Sequence, residues 1–97
     1  MRYIWDPAKD AANQAKHGMS LSEGVRVLEL PAVFQVTQFD DGHSDHEDRW
    51  LTLGLVDRGV LLVVHADVAD DEVRIISVRR AGAAERAAYF KALQETT

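Results

Sequence analysis

The chain has 97 residues, of which 46% are apolar and 28% are charged, and this balance is typical of one ordinary globular domain. The absence of cysteine excludes disulfide bonds, zinc–thiolate sites and thiol nucleophiles. A net charge of −5 argues mildly against nucleic-acid binding, because contacts with phosphate come from lysine and arginine, although a local basic site on an acidic molecule stays open.

The N-terminal residues predict a short strand followed by a helix. Residues 2–5 form an apolar and aromatic segment that suits an edge strand. Asp6 followed by proline is the pattern of a helix N-cap with proline at the first helical position, so we expect a helix over Pro7–His17. Gly18 then supplies a left-handed C-terminal cap. Small side chains recur along one face of this helix at Ala8, Ala11, Ala12 and Ala15.

A second helix, a strand and a polar loop follow. Ser20 and Glu23 have the spacing of a capping box, so we expect a helix to open here and to end before Pro31. From Val33 the apolar period changes to two, which predicts a strand. Residues 40–48 are polar and rich in turn formers, and they predict a surface loop.

Three further strands are predicted after the loop. Alternating leucines open the first of them, and residues 57–59 make a turn. Residues 60–66 are apolar on both faces, which indicates a central strand covered on each side. Residues 67–71 form an acidic turn into a last strand over Glu72–Arg80. Strict alternation would place Arg74, Ile76, Val78 and Arg80 on one face and Val73, Ile75, Ser77 and Arg79 on the other.

A final helix begins after Gly82. Its apolar face is expected to contain Ala83, Ala87 and Phe90, with Glu85 and Tyr89 on roughly the opposite side. The order β-α-α-β-β-β-β-α predicts an α+β fold in one domain over residues 1–97. Two N-terminal helices and one C-terminal helix should flank a twisted, mainly antiparallel sheet of four to five strands.

A cytoplasmic location is expected for this chain. The longest apolar run, residues 60–64, is far shorter than the ~20 residues that span a bilayer. The N-terminal segment has no charged stretch followed by an apolar one and a cleavage site, so it does not resemble a secretory signal.

The C-terminal third concentrates residues suited to RNA chemistry. Cleavage of RNA without a metal needs a base for the 2′-hydroxyl proton, cations for the charge on phosphorus and an acid for the leaving oxygen. These arginines could equally be ordinary surface charges that pair with the many carboxylates. The cluster comprises Arg74, Ser77, Arg79, Arg80, Glu85 and Tyr89.

Three other groups of residues are candidates. Lys9, Asn13 and Lys16, with His17 slightly off their stripe, could meet a phosphate backbone or could simply be the solvated side of the first helix. His65 lies in the apolar strand and is either a hydrogen-bonded core residue or a secondary catalytic candidate. The polar loop contains residue types that bind metal ions, although loops also carry such residues for solubility. The candidate ligands are His43, Asp45, His46, Glu47 and Asp48.

The chain resembles the BrnT ribonuclease toxins, which are relatives in fold of RelE and are encoded beside a BrnA antitoxin. The resemblance covers nearly the whole chain in order. The C-terminal series R-x-I-S-x-R-x-A-x-x-x-E-R-x-x-Y is its most specific part. The matching pieces are Trp5-Asp6 with Lys9 and Asn13, Lys16-His17-Gly18, Glu47-x-Arg49 before a strand with Gly54, Val63-Val64-His65, residues 74–81, and Glu85-Arg86 with Tyr89.

The resemblance implies a metal-independent endoribonuclease without a cofactor. Arg79 and Arg80 would hold the phosphate, and Arg49 and Arg74 would be further cations. Glu47 would be the general base, and His65 or Lys16 a possible acid. The residues expected to contact RNA are Lys9, Lys16, His17, Glu85 and Tyr89.

The resemblance also implies a BrnA-like antitoxin as the partner. We expect a heterotetramer in which the antitoxin supplies the two-fold axis and all contacts with DNA, and no association with a membrane. The alternative is a catalytically inactive protein of the same fold that only binds the antitoxin. A metal-dependent enzyme that uses residues 43–48 is a third hypothesis.

Overall fold

The computed structural model describes residues 1–43 and 47–95 and has the predicted α+β architecture. The order of helices and strands agrees with the one expected from the sequence. The elements are β1 (Arg2–Ile4), α1 (Pro7–His17), α2 (Glu23–Leu28), β2 (Gln35–Phe39), β3 (Trp50–Val56), β4 (Gly59–Ala69), β5 (Glu72–Arg80) and α3 (Ala83–Glu95), with single 3₁₀ turns at Ala32–Phe34 and Asp41–His43. No helix in these described ranges is long and apolar enough to cross a membrane.

One mixed sheet organises the molecule, in the strand order β1-β5-β4-β3-β2. β1 runs parallel to β5, and every other neighbouring pair is antiparallel. One side of the sheet, called here the helix face, packs under α1 and α2 through a cluster of buried apolar residues. This cluster contains Met19, Leu21, Val27, Leu61, Val63, Ile75 and Val78. The other side, called the groove face, is only partly covered by α3.

The predicted signals at the ends of α1 are confirmed. The Asp6 side chain accepts a hydrogen bond from the Ala8 backbone N–H at 2.8 Å, and Gly18 adopts φ = 68°. α2 begins at Glu23, later than expected, and the Ser20 N–H donates to the Glu23 carboxylate at 2.9 Å, which is one of the two bonds of a capping box. The Ser20 hydroxyl is instead 2.8 Å from that of Ser22. Local side-chain chemistry therefore fixes this helical hairpin.

α2 lies very close to the sheet, and Gly24 makes that approach possible. A Cβ atom added to Gly24 would be 2.9 Å from the Cγ2 atom of Val78, closer than packed carbon atoms allow. In β3, a Cβ atom added to Gly54 would be 2.7 Å from a methyl group of Leu30. The close packing buries Val27 completely against the sheet.

Three predicted boundaries need correction. Val33 belongs to a 3₁₀ turn, and the strand begins two residues later, because the chain after Pro31 first makes a helical turn. The strand predicted over 60–66 extends to Ala69, so the acidic turn contains only residues 70–71. Backbone pairing with β5 continues past Asp67 to Ala69, with a shift of register between these two residues.

A β-bulge in β5 overturns the predicted alternation of faces. Val64 pairs with Ser77, but the next residue, His65, pairs with Ile75, so Ile76 is an extra residue in the strand. Ile75 and Val78 therefore both pack into the core on the helix face. Ser77 and Arg79 lie on the groove face together with Arg74. Strict alternation predicts that Arg74 lies on the opposite face from these two residues.

The predicted apolar face of α3 is also wrong. Phe90 is 41% exposed, whereas Tyr89 is 1% exposed and packs with Val60. The Tyr89 hydroxyl donates to the Phe34 carbonyl at 2.7 Å and accepts from the Leu55 N–H at 3.1 Å. The ring can be buried because its hydroxyl has hydrogen-bond partners inside the protein. The pattern of polar residues along the helix does not reveal these partners.

Asn13 is a buried anchor rather than part of a solvated stripe. Its amide nitrogen donates to the carbonyls of Met19 and Val78, both at 2.8 Å, and its oxygen accepts from the Val78 N–H at 3.2 Å. β1 pairs with β5 only as far as Arg74. Beyond that point Asn13 supplies the bonds that a neighbouring strand would otherwise provide.

We predict that Asn13→Ala destabilises the fold. The substitution leaves the buried N–H and C=O of Val78 without these bonds, and each such loss costs about 1–3 kcal/mol, so the free energy of unfolding should fall by about 2–4 kcal/mol. Urea denaturation measures the change. Gln14→Ala, at the exposed neighbouring position, is the control and should shift stability by less than about 0.5 kcal/mol. Equal stability of the two variants would contradict the anchoring role.

Candidate functional site

The groove face carries an open depression of about 370 Å³, called here the arginine groove. Its floor is apolar and comes from neighbouring strands, and charged side chains lie around it. It is lined by Asp40, Arg49, Leu51, Leu62, Val64, Ile76, Ser77, Arg79 and Glu85. A charged rim over an apolar floor can bind a group that is anionic at one point and flat or apolar at another.

Arg79 lies at the α3 end of the groove and is held by Glu85. Its two terminal nitrogens donate to the two carboxylate oxygens of Glu85, each at 2.8 Å. The same carboxylate accepts from the Gly82 N–H at 2.8 Å, which caps the first turn of α3. The hydrogen bonds with Glu85 raise the pKa of Arg79, and those with Arg79 lower the pKa of Glu85. Arg79 and the start of α3 are therefore fixed together.

A second charged cluster adjoins the groove at Arg49, which lines it. The Arg74 guanidinium forms an ion pair with the Glu47 carboxylate, and the Arg49 Nε atom is 3.7 Å from the same oxygen. All three side chains are about two-thirds buried. The bulge at Ile76 brings Arg74 to this face, where it shares Glu47 with Arg49, the residue before β3.

Two predicted catalytic residues lie on the opposite side of the sheet. Arg80 pairs with Leu61, whose side chain is in the helix-face core, and Arg80 is exposed there. His65 is 8% exposed, and its Nε2 atom is 2.8 Å from the Thr52 hydroxyl. The Thr52 hydroxyl is in turn 2.8 Å from that of Thr37. Adjacent residues of a strand point to opposite faces, so Arg80 cannot act together with Arg79.

The residues predicted to contact RNA fall into three environments. Glu85 lines the arginine groove, but Tyr89 is buried and its hydroxyl is already bonded on both sides. Lys9, Lys16 and His17 line a separate cleft between α1 and β5. The prediction overlooked Asp40 in the groove and Thr52 beside His65, because only strand pairing brings these residues to their partners.

The predicted metal-binding loop lies partly outside the described residues. Asp45 and His46 are among residues 44–46, which the described ranges omit. Among the residues that are described, no group of three or more histidine or acidic side chains could hold a metal ion. The loop hypothesis therefore stays a prediction.

Comparison with known proteins identifies a family and a similar solved structure. The model of a family described as "Ribonuclease toxin, BrnT, of type II toxin-antitoxin system" matches residues 5–85. The 1.1 Å crystal structure of the Brucella abortus ribonuclease toxin BrnT is similar with a TM-score of 0.60 and 24% identity, over 84% of this chain and 97% of that one. At this identity the structural match shows the fold alone. No curated protein matches the chain.

We predict that protonation of His65 weakens the fold below neutral pH. Burial lowers the pKa of His65 below its ordinary value, and the nearby Asp67 charge offsets part of this effect. Below about pH 6.5 the unfolded chain therefore binds a proton that the folded one resists, so the free energy of unfolding should fall as pH decreases. Urea denaturation of the parent and of His65→Gln between pH 7.5 and 5 measures this. The variant should lose less stability, and parallel curves would contradict the prediction.

Proposed function

Because the chain belongs to the BrnT family of ribonuclease toxins of type II toxin–antitoxin systems, we propose that it is a metal-independent endoribonuclease restrained by an antitoxin. The arginine groove is its proposed active site. One observation carries this proposal: Arg49 and Arg79 line a single depression with an apolar floor, and Arg74 lies beside it, joined to Arg49 through the Glu47 carboxylate that both contact. Arginine is suited to phosphodiesters because its planar fork matches two phosphate oxygens.

In the proposed reaction Glu47 is the general base. Its carboxylate takes the proton of a ribose 2′-hydroxyl, and the freed oxygen attacks the neighbouring phosphorus. The bond from phosphorus to the 5′-oxygen breaks, which leaves a 2′,3′-cyclic phosphate and a 5′-hydroxyl. Water in the open groove supplies the proton for the leaving oxygen. The negative charge that builds on phosphorus is stabilised by the three arginines, so no metal ion is needed.

Glu85 is proposed as a positioning residue. It holds the Arg79 fork through two hydrogen bonds of 2.8 Å, and it also caps α3. A phosphate that binds Arg79 with both oxygens must replace the carboxylate of Glu85 at that fork. The predicted roles of His65 as acid and of Arg80 as cation are not retained, because both lie on the helix face.

One observation favours the alternative of an inactive antitoxin-binding protein. The three arginines in and beside the groove are accompanied by three carboxylates: Asp40 and Glu85 line it, and Glu47 lies between Arg49 and Arg74. Nearly balanced charge attracts RNA less than a purely cationic groove would. We retain the enzyme as the first proposal because the guanidinium groups lie around one site rather than being scattered.

We predict that Arg79→Lys and Arg80→Lys differ sharply. Lysine keeps the charge but loses the fork, so Arg79→Lys should cleave RNA slower by on the order of a hundredfold, while Arg80→Lys keeps close to the parent rate. Cleavage of a labelled RNA by purified protein measures this, with circular dichroism to verify folding. Equal rates for the two lysine variants would overturn the assignment of the groove.

Removal of divalent metal ions tests the proposed chemistry. The parent protein should cleave RNA at the same rate with and without EDTA, because arginines supply the positive charge. Loss of cleavage in EDTA that is restored by a divalent ion would favour the loop hypothesis. An inert parent protein under both conditions, together with antitoxin binding, would favour the inactive alternative.

The proposed partner is a BrnA-like antitoxin that acts in the cytoplasm. We expect the toxin and antitoxin to form a heterotetramer with an antitoxin dimer at its centre, and DNA to be bound only through the antitoxin. Light scattering on the co-expressed pair measures the mass of the complex. Binding of the antitoxin to the folded toxin should also raise the melting temperature. Purification of the toxin alone from cells that make both proteins would contradict this proposal.

A further inference from the structure

We propose that the cleft between α1 and β5 is a second phosphate-binding subsite, and that single-stranded RNA crosses the edge of β5 between this cleft and the arginine groove. The inference rests on the proposed ribonuclease function and specifies how its substrate lies on the protein. We call this region the lysine cleft. It has a volume of about 250 Å³ and is lined by Lys9, Ala12, Asn13, Lys16, His17, Ile76 and Ser77.

The charge of the lysine cleft differs from that of the rest of the chain. The protein has 16 acidic residues against 11 lysines and arginines, yet no carboxylate lines this cleft. Within the described ranges, neither Lys9 nor Lys16 forms an ion pair, although most of the arginines do. Two unneutralised ammonium groups are therefore available to an anion here.

Asn13 fixes the direction in which these lysines point. Its side chain is bonded to both backbone groups of Val78, so α1 is anchored to the outer edge of β5 at one point. Lys9 and Lys16 lie four residues before and three residues after this anchor, on the same side of the helix. Their backbone positions are about 10 Å apart along the helix axis, so they can contact different phosphates of one strand.

The lysine cleft and the arginine groove adjoin each other. Ile76 and Ser77 line both of them, so the bulged segment of β5 is the ridge between the two depressions. β1 pairs with β5 only through residues 72–74. No strand among the described residues therefore covers the edge of β5 beside the ridge, and a bound RNA chain can pass over it.

The geometry favours a single RNA strand over a duplex. A path that bends around one strand edge between two separate depressions fits one flexible backbone, whereas a helical duplex is stiff and presents both strands. A single strand can also place an unstacked base over the apolar floor formed by Leu51, Leu62 and Val64. An acidic segment of a protein partner could use the same ammonium groups, and the effect of their loss on antitoxin binding and on RNA binding distinguishes the two ligands.

The test compares two variants that remove the same charge. Lys9→Ala/Lys16→Ala alters the lysine cleft, and Arg86→Ala/Lys91→Ala alters exposed positions of α3. Both pairs are made in a Glu47→Gln background, which prevents cleavage during binding measurements. Affinity is measured over a series of salt concentrations for a single-stranded RNA of about twelve nucleotides, and for a trinucleotide that can occupy only the groove.

We expect the lysine variant to lose affinity for the long RNA alone. Each lost phosphate contact lowers the slope of log affinity against log salt by about 0.7 for single strands, so loss of two contacts should lower it by about 1.4. The trinucleotide should bind the lysine variant and its parent equally, and the α3 variant should keep the parental slope for both RNAs.

Three results would overturn the inference while leaving the ribonuclease proposal intact. The first is an equal slope of log affinity against log salt for the lysine variant and the α3 variant. The second is a lysine variant that loses as much affinity for the trinucleotide as for the long RNA. The third is a lysine variant that binds the antitoxin more weakly but binds RNA as its parent does. Failure of the protein with Glu47 to bind or cleave any RNA would instead overturn the proposed function, and the subsite with it.

Discussion

One extra residue in β5, Ile76, decides which side chains the two sides of the sheet present. Side chains alternate between the two faces along a strand, so a single inserted residue exchanges the faces to which all later side chains of that strand point. Here the bulge lets Ile75 and Val78 both enter the core under the helices. It also leaves Arg74 and Arg79 on the same open face, and the proposed catalytic site depends on that arrangement.

Electrostatic balance shapes this open face as much as geometry does. Glu85 neutralises Arg79 at one end of the groove, and Glu47 contacts Arg74 beside the groove. Guanidinium groups held by carboxylates are well oriented, but an RNA phosphate must compete with those carboxylates to bind. The lysine cleft has no carboxylate along its lining, so the proposed RNA path has its less contested phosphate site there.

Asn13 lines the lysine cleft and is bonded to the backbone of Val78, in the strand that also lines the arginine groove. It holds α1 against a part of the β5 edge that no described strand covers, which orients the lysines and leaves the ridge at Ile76 accessible. The same hydrogen bonds thus contribute to stability and determine the shape of the proposed RNA path. A buried amide that is hydrogen-bonded to three backbone groups has little freedom to move, which suits a positioning role.

The sequence by itself determined the order of the elements, the ends of α1 and the concentration of arginines in the last third. These features are local: the N-cap at Asp6 and the left-handed glycine at Gly18 act within a few residues, and apolar periodicity needs only one segment. Only the tertiary structure decided that His65 and Arg80 lie away from the groove, and that Tyr89 is buried. Those outcomes depend on the register between distant strands and on the packing of α3, because a bulge or a buried hydroxyl partner exists only once two remote segments have met.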